Sequence, residues 1–205
     1  MLTRALAFAL TGLDATPVEV EVYTSLTPKN PCFTIVGLPD KALQEARSRI
    51  RSATFAVGVE TVESLMLVKL APAEVKKEGA GFDLPIALAV LAGHGAADER
   101  LDDEVAAVGE LAFDGRLRPV PGMLSIAEAA VQAGRPVLLC PLECAAEAAL
   151  VPGCRPLGCE SLQHAVRVLH GEADPGIPTA QAQTRPVAIP DLGDVRGQPG
   201  ARRAL

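Results

Sequence analysis

Five basic side chains in two short runs carry charge that could bind a phosphate group or a neighbouring subunit. They are Arg47, Arg49, Arg51, Lys76 and Lys77. The arginines fall in a segment with helical spacing, so Arg47 and Arg51 would lie one turn apart on a shared face. The alternative is a solvated helix face, partly neutralised by Glu45. The sequence leaves both interpretations open.

A glycine-rich stretch follows the second basic run and leads into a helix. It reads Lys77-Glu78-Gly79-Ala80-Gly81-Phe82-Asp83-Leu84-Pro85. Backbone N–H groups in such a turn can bind an anion, or the glycines can simply allow a tight connection. The third glycine of a dinucleotide fingerprint is missing, and G-x-x-x-x-G-K-(S/T) occurs nowhere. These residues therefore predict no nucleotide site.

Four cysteines and three histidines are the remaining candidates for metal or redox chemistry. Cys140-x3-Cys144 and Cys154-x4-Cys159 could offer four thiolates to zinc, but these spacings are looser than the usual Cys-x2-Cys pairs. Buried free thiols are the alternative. The histidines are scattered, without a His-x3-His pair. We predict neither a metal site nor a catalytic triad.

Composition narrows the possible functions. The 205 residues are 49% hydrophobic, enough for one globular core, and carry a net charge of −6, which argues against an extended nucleic-acid track. Aromatic residues make up 3%, too few for a base-stacking platform. No apolar run is long enough for a membrane helix, and residues 1–10 lack a convincing cleavage site. We expect a soluble, cytoplasmic protein with free thiols and no membrane partner.

Strands and helices that could position these groups alternate along the chain. The predicted strands are residues 1–10, 18–22, 33–36, 65–70 and 136–140, with a hairpin formed by 106–113 and 116–119 around Asp114-Gly115. The predicted helices are residues 40–57, 83–93, 123–132, 143–150 and 162–169. Asp83 and Ser161 are the expected N-caps. Interleaved elements of this kind predict a mixed α/β, or α+β, domain.

The domain is expected to span residues 1–170. A Pro- and Gln-rich linker without hydrophobic periodicity is expected over 171–190, and residues 191–205 have helix-like composition again. A segment this short cannot form a core alone. We expect it to open a further module.

Three stretches carry a family resemblance: residues 33–40 (FTIVGLPD), 77–85 (KEGAGFDLP) and 109–120 (GELAFDGRLRPV). Together they resemble the N-terminal domain of the ComM/YifB family of magnesium-chelatase-like AAA+ ATPases, over roughly residues 1–170. That domain is similar to the proteolytic domain of Lon, which implies a ribosomal protein S5 domain 2-like fold. Residues 191–198 (DLGDVRGQ) resemble the segment that opens the AAA+ module, so a Walker A loop is expected after Leu205.

Lon-like chemistry requires a serine and a lysine, and the resemblance locates both positions. The serine of K-(D/E)-G-P-S-A-G falls at Gly81, and the lysine falls at Leu124. Neither residue can act as a nucleophile or a base, and no lysine follows Lys77. We therefore predict no catalytic residue in this chain.

The resemblance implies a function for the parent protein. It implies a hexameric, DNA-translocating ATPase, a helicase or branch-migration factor of natural transformation, that uses ATP and Mg²⁺ in the AAA+ module. This domain would serve assembly or substrate positioning against its own AAA+ module and neighbouring subunits. The alternatives are a DNA-contacting module using the basic residues, a residual serine peptidase, and a metal-chelatase subunit.

Overall fold

The first two strands, β1 and β2, pair with each other, and residues of β2 alternate between buried and exposed positions. The computed structural model describes residues 1–37, 39–97 and 105–176. In β2 (Asp14–Ser25), Val18, Val20 and Val22 are fully buried, whereas Glu19 is exposed. β1 (Leu2–Thr11) pairs with β2 in antiparallel register from end to end. The strand predicted from the valine–glutamate alternation is confirmed.

Seven further strands and five helices make up the rest of the described ranges. The strands are β3 (Cys32–Val36), β4 (Leu65–Ala71), β5 (Val105–Ala107), β6 (Glu110–Leu111), β7 (Leu117–Arg118), β8 (Val137–Pro141) and β9 (Arg155–Cys159). The helices are α1 (Lys41–Ala56), α2 (Asp83–Gly93), α3 (Met123–Gln132), α4 (Leu142–Ala148) and α5 (Leu162–Leu169). None of these helices is long and apolar enough to cross a membrane.

The main sheet has the order β3-β4-β2-β1-β5-β8-β9, and β6 and β7 form a separate two-stranded ribbon. Pairing is antiparallel around β2, with β1 on one side and β4 on the other. The pairs β3–β4, β1–β5, β5–β8 and β8–β9 are parallel. The predicted mixed α/β class is confirmed, and most strand pairings are parallel.

Helices cover the two faces of the sheet unequally. The first face packs against α1, α2 and α5, and its core includes Val20, Leu43 and Ile86. The second face packs against α3 and α4 near β1, β5 and β8, where Phe8 and Met123 are buried. Farther along this face, Leu67 of β4 and Tyr23 of β2 are about half exposed.

Several local predictions are confirmed. α3 and α5 have the predicted bounds, and the Ser161 side chain caps α5 by accepting the His164 N–H. α1 ends at Ala56, just before Gly58. Asp40, expected in the first turn of α1, is its N-cap. These features depend on neighbouring residues alone, which makes them readable from the sequence.

Other local predictions were wrong. Residues 105–107 join the main sheet between β1 and β8, and the hairpin pairs only Glu110–Leu111 with Leu117–Arg118. Asp83 does not cap α2: its carboxylate binds Arg49 and the Leu111 N–H. β9 was not predicted. Gly158 forms a bridge with Gly176, and the domain boundary at 170 stays a prediction. Most of the predicted linker and all of residues 191–205 lie outside the described residues.

Candidate functional site

The glycine-rich stretch is tied to the start of α1 by one carboxylate. Asp40 Oδ1 accepts the Leu43 N–H at 2.7 Å, which caps α1, and Oδ2 accepts the Gly79 N–H at 3.0 Å. The Asp40 N–H donates to the Lys77 carbonyl at 3.1 Å. Gly79 has a φ of 82°, which a residue with a side chain rarely adopts. The turn and the N-terminus of α1 therefore form one hydrogen-bonded unit.

A largely buried ion pair links the same stretch to the side of α1 that faces the protein interior. Arg49 Nε and Nη2 donate to the two carboxylate oxygens of Asp83 at 2.6 and 3.0 Å. The Asp83 side chain is fully buried, and its Oδ2 also accepts the Leu111 N–H at 3.1 Å. Bidentate pairs of this kind fix orientation as well as charge. Arg49 and Asp83 thus join α1, α2 and β6.

Burial and pairing act against each other at Asp83. Burial raises the pKa of Asp83 above its usual range, and the hydrogen bonds and charge of Arg49 oppose that change. The hydrogen bond to Asp83 in turn raises the pKa of Arg49. The arginine is what allows an ionised carboxylate in this position, because an unpaired charge there would be very costly.

Two backbone donors of the stretch are already used inside the protein. The Gly79 N–H binds Asp40, and the Leu84 N–H donates to the Gly109 carbonyl at 3.0 Å. The Gly109 N–H donates to the Gly81 carbonyl at 2.9 Å. These bonds favour the tight-connection interpretation over an anion site in the turn.

Lys77 is buried beside this turn and cannot serve as a surface contact. Its side chain is fully enclosed, and Nζ donates to the Pro72 carbonyl. Burial lowers the pKa of Lys77, with a weak opposing effect from Glu74. We therefore remove Lys77 from the set of contact residues, and Arg49 with it, because its guanidinium is committed to Asp83.

The two positions that would hold a Lon-like dyad have apolar or backbone surroundings. A Cβ at Gly81 would lie 3.4 Å from Val108 Cγ2 and 3.9 Å from Val120 Cγ1, with no other contact within 4 Å among the described residues. Leu124 is 42% exposed, and its N–H donates to Glu147 Oε1 at 2.9 Å. Within the described ranges, the atoms nearest to that Cβ at Gly81 outside its chain neighbours are therefore methyl carbons and not proton acceptors.

The exposed side of α1 borders an open cleft of about 510 Å³ against β3. Its lining residues are Phe33, Lys41, Gln44, Glu45, Arg47, Ser48 and Arg51. Arg47 is held by bonds from Nε to the Gln44 carbonyl at 3.1 Å and from Nη1 to the Phe33 carbonyl at 3.4 Å. The Arg51 guanidinium lies over the Phe33 ring, 5.8 Å from its centroid. We name this feature the α1 cleft.

The structure therefore divides the five predicted contact residues. Arg47 and Arg51 meet in the α1 cleft, whereas Lys76 lies apart and pairs with Glu78. Sequence reasoning missed three lining residues, Lys41, Gln44 and Ser48. Together with Arg51 they follow a helical stripe of three- and four-residue steps, which would have found them.

The cysteines do not form a metal centre in the part of the chain that the structure describes. All five are free thiols, and no group of three or more His, Cys, Asp or Glu side chains there could hold a metal ion. Burial raises the pKa of Cys140, and it raises the pKa of Cys159 to about 12. Both side chains are fully buried, as expected for thiols that fill a core.

Comparison with known proteins agrees with the three motif stretches. Residues 18–143 match the family described as subunit ChlI of Mg-chelatase. The chain is 40% identical to YifB of Salmonella typhimurium over 203 residues, covering 96% of this chain and 38% of that protein. It is 35% identical to the competence protein ComM of Haemophilus influenzae over 201 residues, covering 95% of this chain and 38% of ComM.

A third relative, YifB of Escherichia coli, is 37% identical over 197 residues, covering 96% of this chain and 38% of that protein. The chain belongs to the ComM/YifB family of proteins with a ChlI-like domain. It spans roughly two fifths of the length of the curated relatives that it matches. The family is of the AAA+ ATPase type.

Proposed function

We propose that this chain is the non-catalytic N-terminal domain of a ComM-like hexameric AAA+ ATPase that acts on DNA as a helicase or branch-migration factor. The observation that supports a non-catalytic role is the set of contacts made by residues 77–85, where a Lon-like protease has its nucleophile. Asp83 is committed to Arg49, and the neighbouring Gly81 faces valines. Side chains engaged in this way support a structural rather than a catalytic role.

We also propose an S5 domain 2-like fold, shared with the Lon proteolytic domain. The mixed sheet and the position of the 77–85 stretch before a buried helix support this assignment. The expected ATP and Mg²⁺ would be bound by the AAA+ module, since residues 1–205 contain no Walker A sequence. The partners would be that module and neighbouring subunits, in the cytoplasm, where five free thiols stay reduced.

We also propose a role of the parent protein in competence for natural transformation. This proposal is supported by one relative, the competence protein ComM of Haemophilus influenzae. The test uses the full-length gene product and a version that lacks residues 1–170. We expect the full-length protein to hydrolyse ATP faster with forked DNA and to unwind the fork. The shortened protein should keep ATP turnover but lose unwinding or the stable hexamer.

Two outcomes would overturn this proposal. One is ATP hydrolysis by the full-length protein that forked DNA does not stimulate. The other is cleavage of a labelled unstructured protein by the 205-residue chain itself, which would require a nucleophile that the surroundings of Gly81 do not supply. A Ser125→Ala variant would then show whether the nearest serine to the Leu124 position is responsible.

A second candidate function is direct DNA contact by this domain. The observation that favours it is the grouping of Lys41, Arg47 and Arg51 around one cleft. The basic set is smaller than the sequence suggested, because Arg49 is paired with Asp83 and Lys77 is buried.

A further inference from the structure

The α1 cleft concentrates positive charge on a protein that is acidic as a whole. Lys41, Arg47 and Arg51 line it, and Glu45 is the one carboxylate among its lining residues. The net charge of the chain is −6. A local excess of cations on an acidic protein attracts an anion to that point of the surface and not to the surface in general.

These cations lack the carboxylate partners that some other exposed arginines have. Within the described ranges no carboxylate lies within 4 Å of the charged atoms of Lys41, Arg47 or Arg51, whereas Arg116 pairs with Asp114 and Arg118 with Glu110. An anionic ligand would not have to displace a carboxylate from any of them, although Arg47 also donates to two backbone carbonyls.

Arg51 carries an unusual feature, a buried donor without an acceptor. Its Nε is shielded from solvent and has no hydrogen-bond partner while the guanidinium lies over Phe33. A buried donor left unbonded is costly, and a rotation that turns the head group outward removes that cost. An anion in the cleft would receive this Nε–H together with a terminal N–H, in the forked geometry that suits phosphate.

The spacing along the helix fits a row of phosphates. Lys41 and Arg51 are separated by ten residues, or about 15 Å along the axis at about 1.5 Å per residue. A nucleic-acid strand carries one phosphate per nucleotide, so a cleft of this length could meet more than one of them. Gln44 and Ser48, between the cations, are neutral donors of the kind that bind phosphate and sugar oxygens.

The lining also argues against a protein partner and against base stacking. Protein interfaces centre on exposed apolar side chains, but Phe33, the one aromatic residue of the cleft, is 5% exposed and covered by Arg51. While Arg51 lies over it, the ring offers no face on which a base could stack. A ligand would be held through its phosphates.

We propose that the α1 cleft binds the phosphodiester backbone of a nucleic-acid strand, through Lys41, Arg47 and Arg51, without reading its bases. This inference rests on the proposed function, a parent ATPase that acts on DNA. It assigns the contact to one side of α1 and excludes Arg49, Lys76 and Lys77 from it.

The test measures binding of labelled oligothymidine to the 205-residue chain by fluorescence anisotropy across a salt series. The cleft variant is K41Q/R47Q, in which both changed side chains are exposed. The matched control is R116Q/R118Q, which removes the same charge from paired arginines. We expect the cleft variant to bind about tenfold more weakly at low salt and the slope of log K against log salt to shrink by about 1.4. The control should bind like the wild type.

Three further measurements test whether binding uses the phosphates and the Arg51 head group and not the bases. An abasic strand of equal length should bind as well as oligothymidine, because no base is contacted, and free pyrophosphate should compete only weakly. R51K, which keeps the charge but lacks Nε, should bind more weakly than the wild type. Equal losses in the cleft and control variants, failure of the abasic strand to bind, or no binding at low salt would overturn the inference.

A seam between copies of the chain is also separable from the proposal. If the cleft variant changes self-association in sedimentation velocity and leaves DNA binding intact, the cleft is a subunit contact and the inference is wrong. Measurements on the full-length protein, with and without K41Q/R47Q, distinguish a failure of the cleft inference from a failure of the proposed function. DNA-stimulated ATP hydrolysis in the wild type, with unchanged DNA binding in the variant, rejects the cleft alone. No stimulation in the wild type rejects the proposed function.

Discussion

The two sides of α1 show how differently neighbouring arginines can be used. Arg49 faces the protein interior, where it neutralises a buried carboxylate, and Arg47 and Arg51 face an open cleft without a carboxylate partner. All three have the same side chain within one and a half turns of helix. Their surroundings differ because a step of two residues turns a helix by more than half a circle. A basic run in a sequence is therefore not a basic surface.

The largest effect is expected on the buried side. Arg49→Met should lower the free energy of unfolding by about 3–5 kcal/mol, because Asp83 would remain buried without its cation. Urea unfolding followed by circular dichroism measures this change. Arg47→Met, just over half a turn away on the cleft side, is the matched control and should change stability by less than about 1 kcal/mol. Equal losses in both variants would contradict the division of α1 into two sides.

The same variant makes a prediction about pH. Burial already raises the pKa of Asp83, and removing Arg49 removes the effect that opposes this rise. A raised pKa in the folded state favours folding below the ordinary pKa of an aspartate and is unfavourable above the folded value. The stability deficit of Arg49→Met should therefore shrink as pH falls from neutral towards about 4. A deficit that is constant with pH would show that the loss is one of packing and not of charge.

A smaller effect is expected at the carboxylate that joins α1 to the glycine-rich turn. Asp40→Ala removes the N-cap of α1 and the bond to Gly79, and should cost about 1–2 kcal/mol or somewhat more. Asp40→Asn keeps one side-chain oxygen that can cap the helix but puts an N–H donor in place of the oxygen that accepts the Gly79 N–H, so it should recover only part of the loss. Thermal unfolding of the two variants compares them directly. If Ala and Asn behave alike, the capping bond is not what stabilises this end of α1.

We expect Lys77, a buried cation without a carboxylate partner, to contribute little to the free energy of unfolding. Lys77→Met is expected to be neutral within about 1.5 kcal/mol at pH 7, since it removes a desolvated charge along with the bond to Pro72. Burial lowers the pKa of Lys77, so the wild type should gain stability relative to the variant as pH rises towards the ordinary lysine value near 10.4. The difference between the two unfolding curves is the measurement, because the buried thiols titrate in both proteins. A difference that falls with pH would contradict the burial effect.

Local features of the fold were predictable, and long-range ones were not. The bounds of α3 and α5 follow from helical periodicity, and the Ser161 cap follows from its hydroxyl. The pair of Arg49 and Asp83 joins residues 34 positions apart, and each alone fits an ordinary local role. The local pattern therefore assigned the arginine to a surface and the aspartate to a helix cap.

β9 and the short hairpin were missed for related reasons. β9 contains Pro156 and Gly158 and shows no alternation, yet it pairs with β8 over its whole length as the last strand of the sheet. Proline is tolerated there because an edge strand has one side without a ladder partner. The expected strand 106–113 was divided because parallel pairing with β1 and β8 takes up its first part. Partners of this kind come from the topology and not from the segment itself.

Asp40 also has a consequence for how this region opens. The oxygen atoms of one side chain hold the Leu43 and Gly79 amides, so the first turn of α1 cannot fray without releasing the glycine-rich turn. Two segments far apart in the chain thus share one local unfolding event. Their amide protons should exchange with solvent at a single opening free energy. This cooperative unit would contain the family stretch 77–85 and Lys41 of the α1 cleft.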